Sequence, residues 1–161
     1  MKRFVGNRFD VLTLFLALGL VSAPPNLQAA SRVTAWGEAI GGQPADLTNV
    51  VAIAGGWNHS LALRSNGKVA AWSAYKYCLQ SRVPWDLMNA VAVAAGSDYG
   101  MALRSNRTVA FWSYDSPSMG QVPAGLTNVA AIAGGGGSWH VLVLKTDGTV
   151  VAWGFNDYGQ T

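Results

Sequence analysis

The chain has 161 residues, half of them apolar, 12% charged and 11% aromatic, with 19 Gly and 6 Pro. That profile excludes a disordered chain, a collagen and a coiled coil, and the length fits one domain with enough apolar residues to fill a core. Eleven Lys and Arg against eight Asp and Glu give a formal charge of +3, and the location of that excess decides whether it means affinity for nucleic acid.

Much of it comes first. Lys2, Arg3 and Arg8 precede the apolar run Val11–Ala23, VLTLFLALGLVSA, and a stretch ending in Ala29 and Ala30 follows. Charged, apolar and cleavable segments in this order predict a secretory signal peptide over residues 1–29, cut near Ala29 or Ala30 because Pro24 disfavours cleavage after Ala23. As a helix the run would rise about 20 Å, short of the roughly 30 Å hydrocarbon core, so a permanent anchor is the weaker reading. Removing residues 1–29 takes away three basic residues and Asp10, leaving eight against seven, a net of +1. A mature chain so near neutral has no basic stripe for a phosphate backbone, so no nucleic-acid partner is expected. The expected location is secreted, periplasmic or at the cell surface, without membrane attachment after cleavage. Cys78 is the sole cysteine, which rules out an internal disulfide. A small buried hydrophobe is its ordinary role, with an intermolecular bond or a reactive thiol as the alternatives.

From residue 33 onward a repeat sets the architecture. A lone VTAW segment at Val33–Trp36 comes first. LTNVVAIAGG then begins at Leu47, LMNAVAVAAG at Leu87 and LTNVAAIAGG at Leu126, at spacings of 40 and 39 residues. Each unit continues with LALRSNG from Leu61, MALRSNR from Met101 or LVLKTDG from Leu142, and closes with VAAW from Val69, VAFW from Val109 or VVAW from Val150. The repeat domain therefore spans residues 30–161, with a lone strand at 33–36 and units at 47–86, 87–125 and 126–161. The apolar runs VVAIA, VAVAA and AAIAG predict strands covered on both faces. The later two segments flank a two-residue loop, Asn66-Gly67, Asn106-Arg107 or Asp147-Gly148, which predicts a type I′ hairpin. Each unit thus holds three strands, and no helix of useful length fits.

One such sheet cannot cover its own faces, so the units must stack. Radial stacking of small antiparallel sheets makes a β-propeller, and the fold expected is all-β, a partial propeller of about three three-stranded blades. A side-by-side solenoid-like stack is the alternative. The Trp closing each segment, at 36, 72, 112 and 153, supplies the glue: burying an indole removes roughly 150–250 Å² from water, worth about 4–6 kcal/mol as an upper estimate.

These motifs together resemble the regulator of chromosome condensation repeat superfamily in its compact bacterial form, of which β-lactamase inhibitor protein II is an example. The resemblance rests on VVAWGFNDYGQT at Val150–Thr161 and on VPAGLTNVAAIAGG at Val122–Gly135 followed by a Gly-rich turn, His and an apolar strand, and it covers residues 33–161. It implies a propeller whose loops on one face contact a partner, in a family that includes nucleotide exchange factors, enzyme inhibitors and scaffolds. Two departures stand out. A seven-bladed ring would need some 280 residues, whereas three units and a stray strand leave an open arc, a truncated product, or a protomer that completes a ring with copies of itself. Open blade edges invite self-association. GFNDYGQ is intact only at Gly154–Gln160, while the other connections read SAYKYCLQSRVPWD and SYDSPSMGQVPAG and lose the turn glycine to Ser73 and Ser113.

Catalysis needs clustered titratable groups with a nucleophile, metal or acid/base pair in reach, and the inventory is thin. His59 and His140 share one repeat position, occupied by Tyr99 in the middle unit, which points to a structural task performed once per blade rather than to metal ligation. Ser60 beside His59 is not a triad, because Gly100 and Val141 stand in its place elsewhere. Gly134–Gly137 lacks the Lys-Ser/Thr ending of a phosphate loop. Asp98, Asp115, Asp147 and Asp157 fall in turns, where Asp needs no further role. No catalytic residue, metal site or cofactor is expected, and the chain does not read as an enzyme.

The loop aromatics carry the functional reading. Trp57, Tyr75, Tyr77, Trp85, Tyr99, Tyr114, Trp139, Phe155 and Tyr158 stand in or beside loops where the other units often have small or polar residues, and such side chains on a rigid scaffold dominate interface hot spots. The bland alternative is that several plug gaps between blades. Trp57 and Trp139 are placed on the same rim. The function expected is an exported repeat protein that binds a protein partner through these aromatics. The alternatives are an inhibitor of a secreted or periplasmic enzyme, implied by the resemblance, and a carbohydrate-binding module, since Trp and Tyr also stack on sugars.

Overall fold

In the computed structural model the described residues are 33, 43–73, 82–113, 121–135, 137 and 139–161. Nine strands follow one another: β1 (Val50–Gly55), β2 (Ser60–Arg64), β3 (Val69–Trp72), β4 (Ala90–Ala95), β5 (Tyr99–Arg104), β6 (Val109–Ser113), β7 (Val129–Ala133), β8 (His140–Lys145) and β9 (Val150–Gly154). They form three antiparallel three-stranded sheets in the orders β1-β2-β3, β4-β5-β6 and β7-β8-β9. No described element is a helix. Each sheet is one repeat unit, or blade.

The way the blades meet separates a propeller from a side-by-side stack. Neighbouring blades approach through β1 and β2 against β4, and through β4 and β5 against β7, so the first strands converge. Convergence on one strand per sheet is radial packing, with β1, β4 and β7 innermost.

Two seams hold the arc together. In the first, Leu61 and Leu63 of β2 pack with Leu87, Ala90, Val93, Ala95, Ala102, Ala110 and Trp112 of the second blade. In the second, Ala94, Tyr99, Met101 and Leu103 pack with Val129, Val141, Val143 and Trp153 of the third. Trp72 lies in a smaller cluster with Leu47 and Ala62, against which Val33 packs. Each of the three described indoles that close a blade is buried; Trp36 lies outside the described residues, as do Cys78 and the N-terminal segment.

Repeated backbone bonds set the register. Hairpin residues Ser65, Ser105 and Thr146 donate their N–H to the carbonyls of Asn49, Asn89 and Asn128, at 2.8, 2.9 and 2.8 Å, tying each β2–β3-type hairpin to the turn that opens its own blade. The hairpin then reaches forward, the Gly67 carbonyl accepting from Ala90 N–H at 3.1 Å and the Arg107 carbonyl from Val129 N–H at 3.0 Å.

Two expectations need correction. The hairpins are not two-residue type I′ turns, because Asn66, Asn106 and Asp147 lack a positive φ and only the next residue is left-handed: Gly67 at 77°, Arg107 at 65° and Gly148 at 84°. The Arg64 carbonyl accepts from Gly67 N–H at 2.9 Å while Arg64 N–H donates to Lys68 O at 2.9 Å, so the loop has three residues and ends in a left-handed bulge. The middle residue uses its side chain instead: Asn66 and Asn106 accept from the N–H two residues on, and Asp147 from both the N–H and the hydroxyl of Thr149. Those two Thr149 bonds, with Lys145 beside them, hold the exposed Asp147 carboxyl well below the ordinary carboxylate range.

The first strands are also not all covered on both faces. In every blade the pairing with the second strand slips between the first and third residue, at Val50/Ala52, Ala90/Ala92 and Val129/Ala131. The intervening Val51, Val91 and Ala130 are the extra residues of a bulge and stand exposed. Beyond the bulge, β4 is buried because blades flank it on both sides, whereas β1 and β7 each have a blade on one side among the described residues.

Candidate partner-binding site

Antiparallel pairing divides the loops between two ends of the arc. At one end lie the turns between first and second strands, with residues 56–59, 96–98 and, in the third blade, 134, 135, 137 and 139, together with the ends of β3, β6 and β9. At the other lie the hairpins and the Pro-containing turns that open each blade. Bonds between blades keep the ends aligned, since Trp57 N–H reaches Gly96 O at 3.3 Å across the first seam.

The first end carries Trp57, 71% exposed, and Trp139, 43% exposed. Their loops are braced. Ser73 Oγ donates to the Asn58 carbonyl at 2.5 Å, fastening the Trp57 loop to the end of its own β3. The Trp139 carbonyl accepts from Phe155 N–H at 2.9 Å, fastening its loop to the segment after β9. In that segment Phe155 is half-buried and meets the exposed Tyr158 at 6.2 Å between ring centroids, and Asn156 ties the turn by accepting from Gly159 and Thr161 N–H. Trp85 is also exposed but belongs to the opposite end, in the Pro84–Leu87 turn closed by Leu87 N–H to Pro84 O at 3.1 Å. Tyr75, Tyr77 and Tyr114 lie outside the described residues.

Tyr99 departs from its expected place on a binding surface. It is fully buried in the second seam, where its hydroxyl donates to the His140 carbonyl at 2.7 Å and its ring stacks at 5.4 Å on Phe111. The glycine three residues before makes room, for a Cβ at Gly96 would sit 1.9 Å from the Tyr99 ring. Its contact area is spent between blades, and the signal was its shared repeat position with His59 and His140.

His59 occupies the same slot in the first seam. It is buried, and neither ring nitrogen has a hydrogen-bond partner among the described residues. Desolvation lowers its pKa, outweighing the Tyr99 backbone and the Asp98 carboxylate, which pull the other way. Among the described residues no three His, Cys, Asp or Glu side chains gather as metal ligands would. What this end offers chemically is apolar and aromatic contact area on braced loops.

The fold and this rim define an arc of propeller blades that presents loop side chains at one end. The profile of the Regulator of chromosome condensation (RCC1) repeat matches residues 50–74 and 129–160, in the first and third blades. Similar solved structures include yeast Prp20p from Saccharomyces cerevisiae, at TM-score 0.54 and 21% identity over 71% of this chain and 34% of that one. The ectodomain of the Physcomitrella patens receptor kinase CR4 gives 0.53 and 22% over 65% and 29%. Human WBSCR16 gives 0.51 and 20% over 66% and 33%. The chain thus spans about a third of the length of the structures it matches. No curated protein matches the sequence.

Proposed function

We propose that this is an exported RCC1-type repeat protein that binds a protein partner through the aromatic rim at the Trp57 end. One observation carries the reading: two indoles, Trp57 and Trp139, remain solvent-exposed on loops that backbone and side-chain bonds hold in place. An exposed aromatic on a pre-ordered loop loses little conformational freedom on binding and buries a large area, which is the composition of an interface hot spot. Yeast Prp20p, similar in fold, is described with binding properties to Gsp1p and histones, which supports a protein as the class of partner. The basic, apolar and small-residue order of the N-terminal segment supports export, and the sparse titratable chemistry supports binding without catalysis.

The test is capture from the extracellular or periplasmic fraction with immobilised wild type, a Trp57→Ala/Trp139→Ala variant and a Trp85→Ala variant. The expected result is a defined protein retained by wild type and Trp85→Ala and lost by the double variant. Retention by all three would overturn the rim assignment. Inhibition of a β-lactamase panel would instead identify an enzyme inhibitor, and signal on a glycan array a carbohydrate-binding module.

A further inference from the structure

The two seams inside the arc are built alike, and each outer blade carries one half of a third. Leu63 and Leu103 hold the same place in β2 and β5, and both are buried by the blade that follows, at 2% and 7% exposure. Leu144 holds that place in β8 and is 41% exposed. Leu142, the counterpart of the fully buried Leu61 and Met101, and Val150, the counterpart of Val69 and Val109, are exposed with it. The carbonyl of Gly148 corresponds to those of Gly67 and Arg107, which accept from the next blade's first strand, and it meets no such donor among the described residues. The back of the third blade is therefore a seam half that no described residue covers.

The matching half lies on the same chain. In the first and second seams Val93 and Ile132 face backward into the preceding blade. Their counterpart in the first blade, Ile53, is 53% exposed. Val33 covers Trp72 and Ala62 farther out on that face, so the open part is the inner strand β1. We propose that two copies of this chain join head to tail, the back of the third blade of one, at Leu142, Leu144 and Val150, seating on β1 of the other around Ile53. The contact continues the packing already made twice within the chain, with branched apolar side chains of one sheet set against a small-residue and β-branched face of the next. It is separate from the aromatic rim, which lies at an end of the strands rather than on a sheet face.

A heterologous contact makes a specific prediction for mixtures. Leu144→Lys destroys the back half and leaves the front intact; Ile53→Lys does the converse. Both positions are exposed, so neither substitution buries a charge in the free chain. Sedimentation velocity over a hundredfold concentration range is expected to show association for wild type, monomers for each variant alone, and a dimer but nothing larger for the equimolar mixture, in which the one intact pair of halves can meet. That dimer would also show that both variants fold. Dimers of Ile53→Lys alone would mean that two third blades meet face to face, and would overturn the proposal. So would a wild type that stays monomeric throughout, as expected if another part of the protein or a different partner covers the face. Failure of the mixture to pair when wild type associates would overturn it as well.

Discussion

The two seams share one plan but fill it differently. Where the second has Tyr99 and Phe111, the first has His59 and Ala71. In the second seam three rings interlock, Tyr99 on Phe111 at 5.4 Å and Phe111 edge-on to Trp153 at 6.2 Å, and the tyrosine hydroxyl is satisfied by the next blade. In the first, Trp112 meets mainly Leu and Ala, and a buried imidazole lacks a partner. One architecture thus tolerates either a filled aromatic stack or a smaller core with an unmet polar group. The second seam is accordingly expected to hold more tightly.

Truncation at the seams gives the largest effects. Met101→Ala, at a site fully buried in the second seam, is expected to destabilise by about 2–5 kcal/mol, and Leu61→Ala in the first by an amount in the same range. If the seams differ as their packing implies, Met101→Ala costs more, because the rigid aromatics around it collapse less readily into the space left behind. Urea denaturation of the two variants against wild type measures this, and a larger loss for Leu61→Ala would reverse the ranking of the seams. Tyr99→Phe comes next. It keeps the stack and removes only the hydroxyl bond to the His140 carbonyl, so the expected loss is about 1–3 kcal/mol by the same measurement.

The architecture was legible because the repeat made it so. A forty-residue period, three short apolar segments per unit and a closing Trp locate the nine described strands and the two seams between their blades before any geometry is known. Local chemistry was less legible. Asn-Gly and Asp-Gly read as a type I′ pair, yet Asn66 and Asp147 spend their side chains on the N–H two residues ahead, which a three-residue loop permits. Arg107 adopts the left-handed conformation of its glycine counterparts because its carbonyl is fixed to Val129. Tyr99 read as a loop aromatic because it follows Gly96-Ser97-Asp98, a turn-like string, although its repeat position assigns it to the interior. The exposed Ile53 and Leu144 were invisible to composition, since Leu144 has the residue type of the buried Leu63 and Leu103 and Ile53 is as apolar as the buried Val93, and each differs in having no neighbouring blade over it among the described residues. Trp57 and Trp139 could be placed in loops from sequence, but their bracing by Ser73 and Phe155 required coordinates.

The histidine makes the first seam the acid-sensitive one. Because burial lowers the His59 pKa in the folded state, folded and unfolded chains are both neutral at this group well above pH 6.5, and it then contributes no pH dependence. As pH falls through the unfolded value the unfolded chain takes up a proton that the folded one resists, so stability drops by at most about 1.4 kcal/mol per pH unit until the folded pKa is reached. His59→Tyr copies the second seam into the first and is expected to flatten stability between pH 7 and 5 relative to wild type. An unchanged slope in the variant would mean that His59 protonates in the fold without penalty.

The rim gives the smallest effect on stability, and that contrast is what separates it from the seams. Trp57 is larger than any seam residue replaced above, yet it is 71% exposed and packs little of its surface within the protein. Removing it forfeits little burial, and surface substitutions away from caps and cores fall within about 0.5 kcal/mol of wild type. Trp57→Ala is therefore expected to leave the urea midpoint almost unmoved while reducing retention of a protein partner. A loss of 2 kcal/mol or more would instead place the Trp57 indole among the packing residues, as the buried ring of Tyr99 already is, and the rim would lose its best aromatic contact. The magnitude of one substitution thus decides whether a tryptophan beside a seam belongs to the fold or to its surface chemistry.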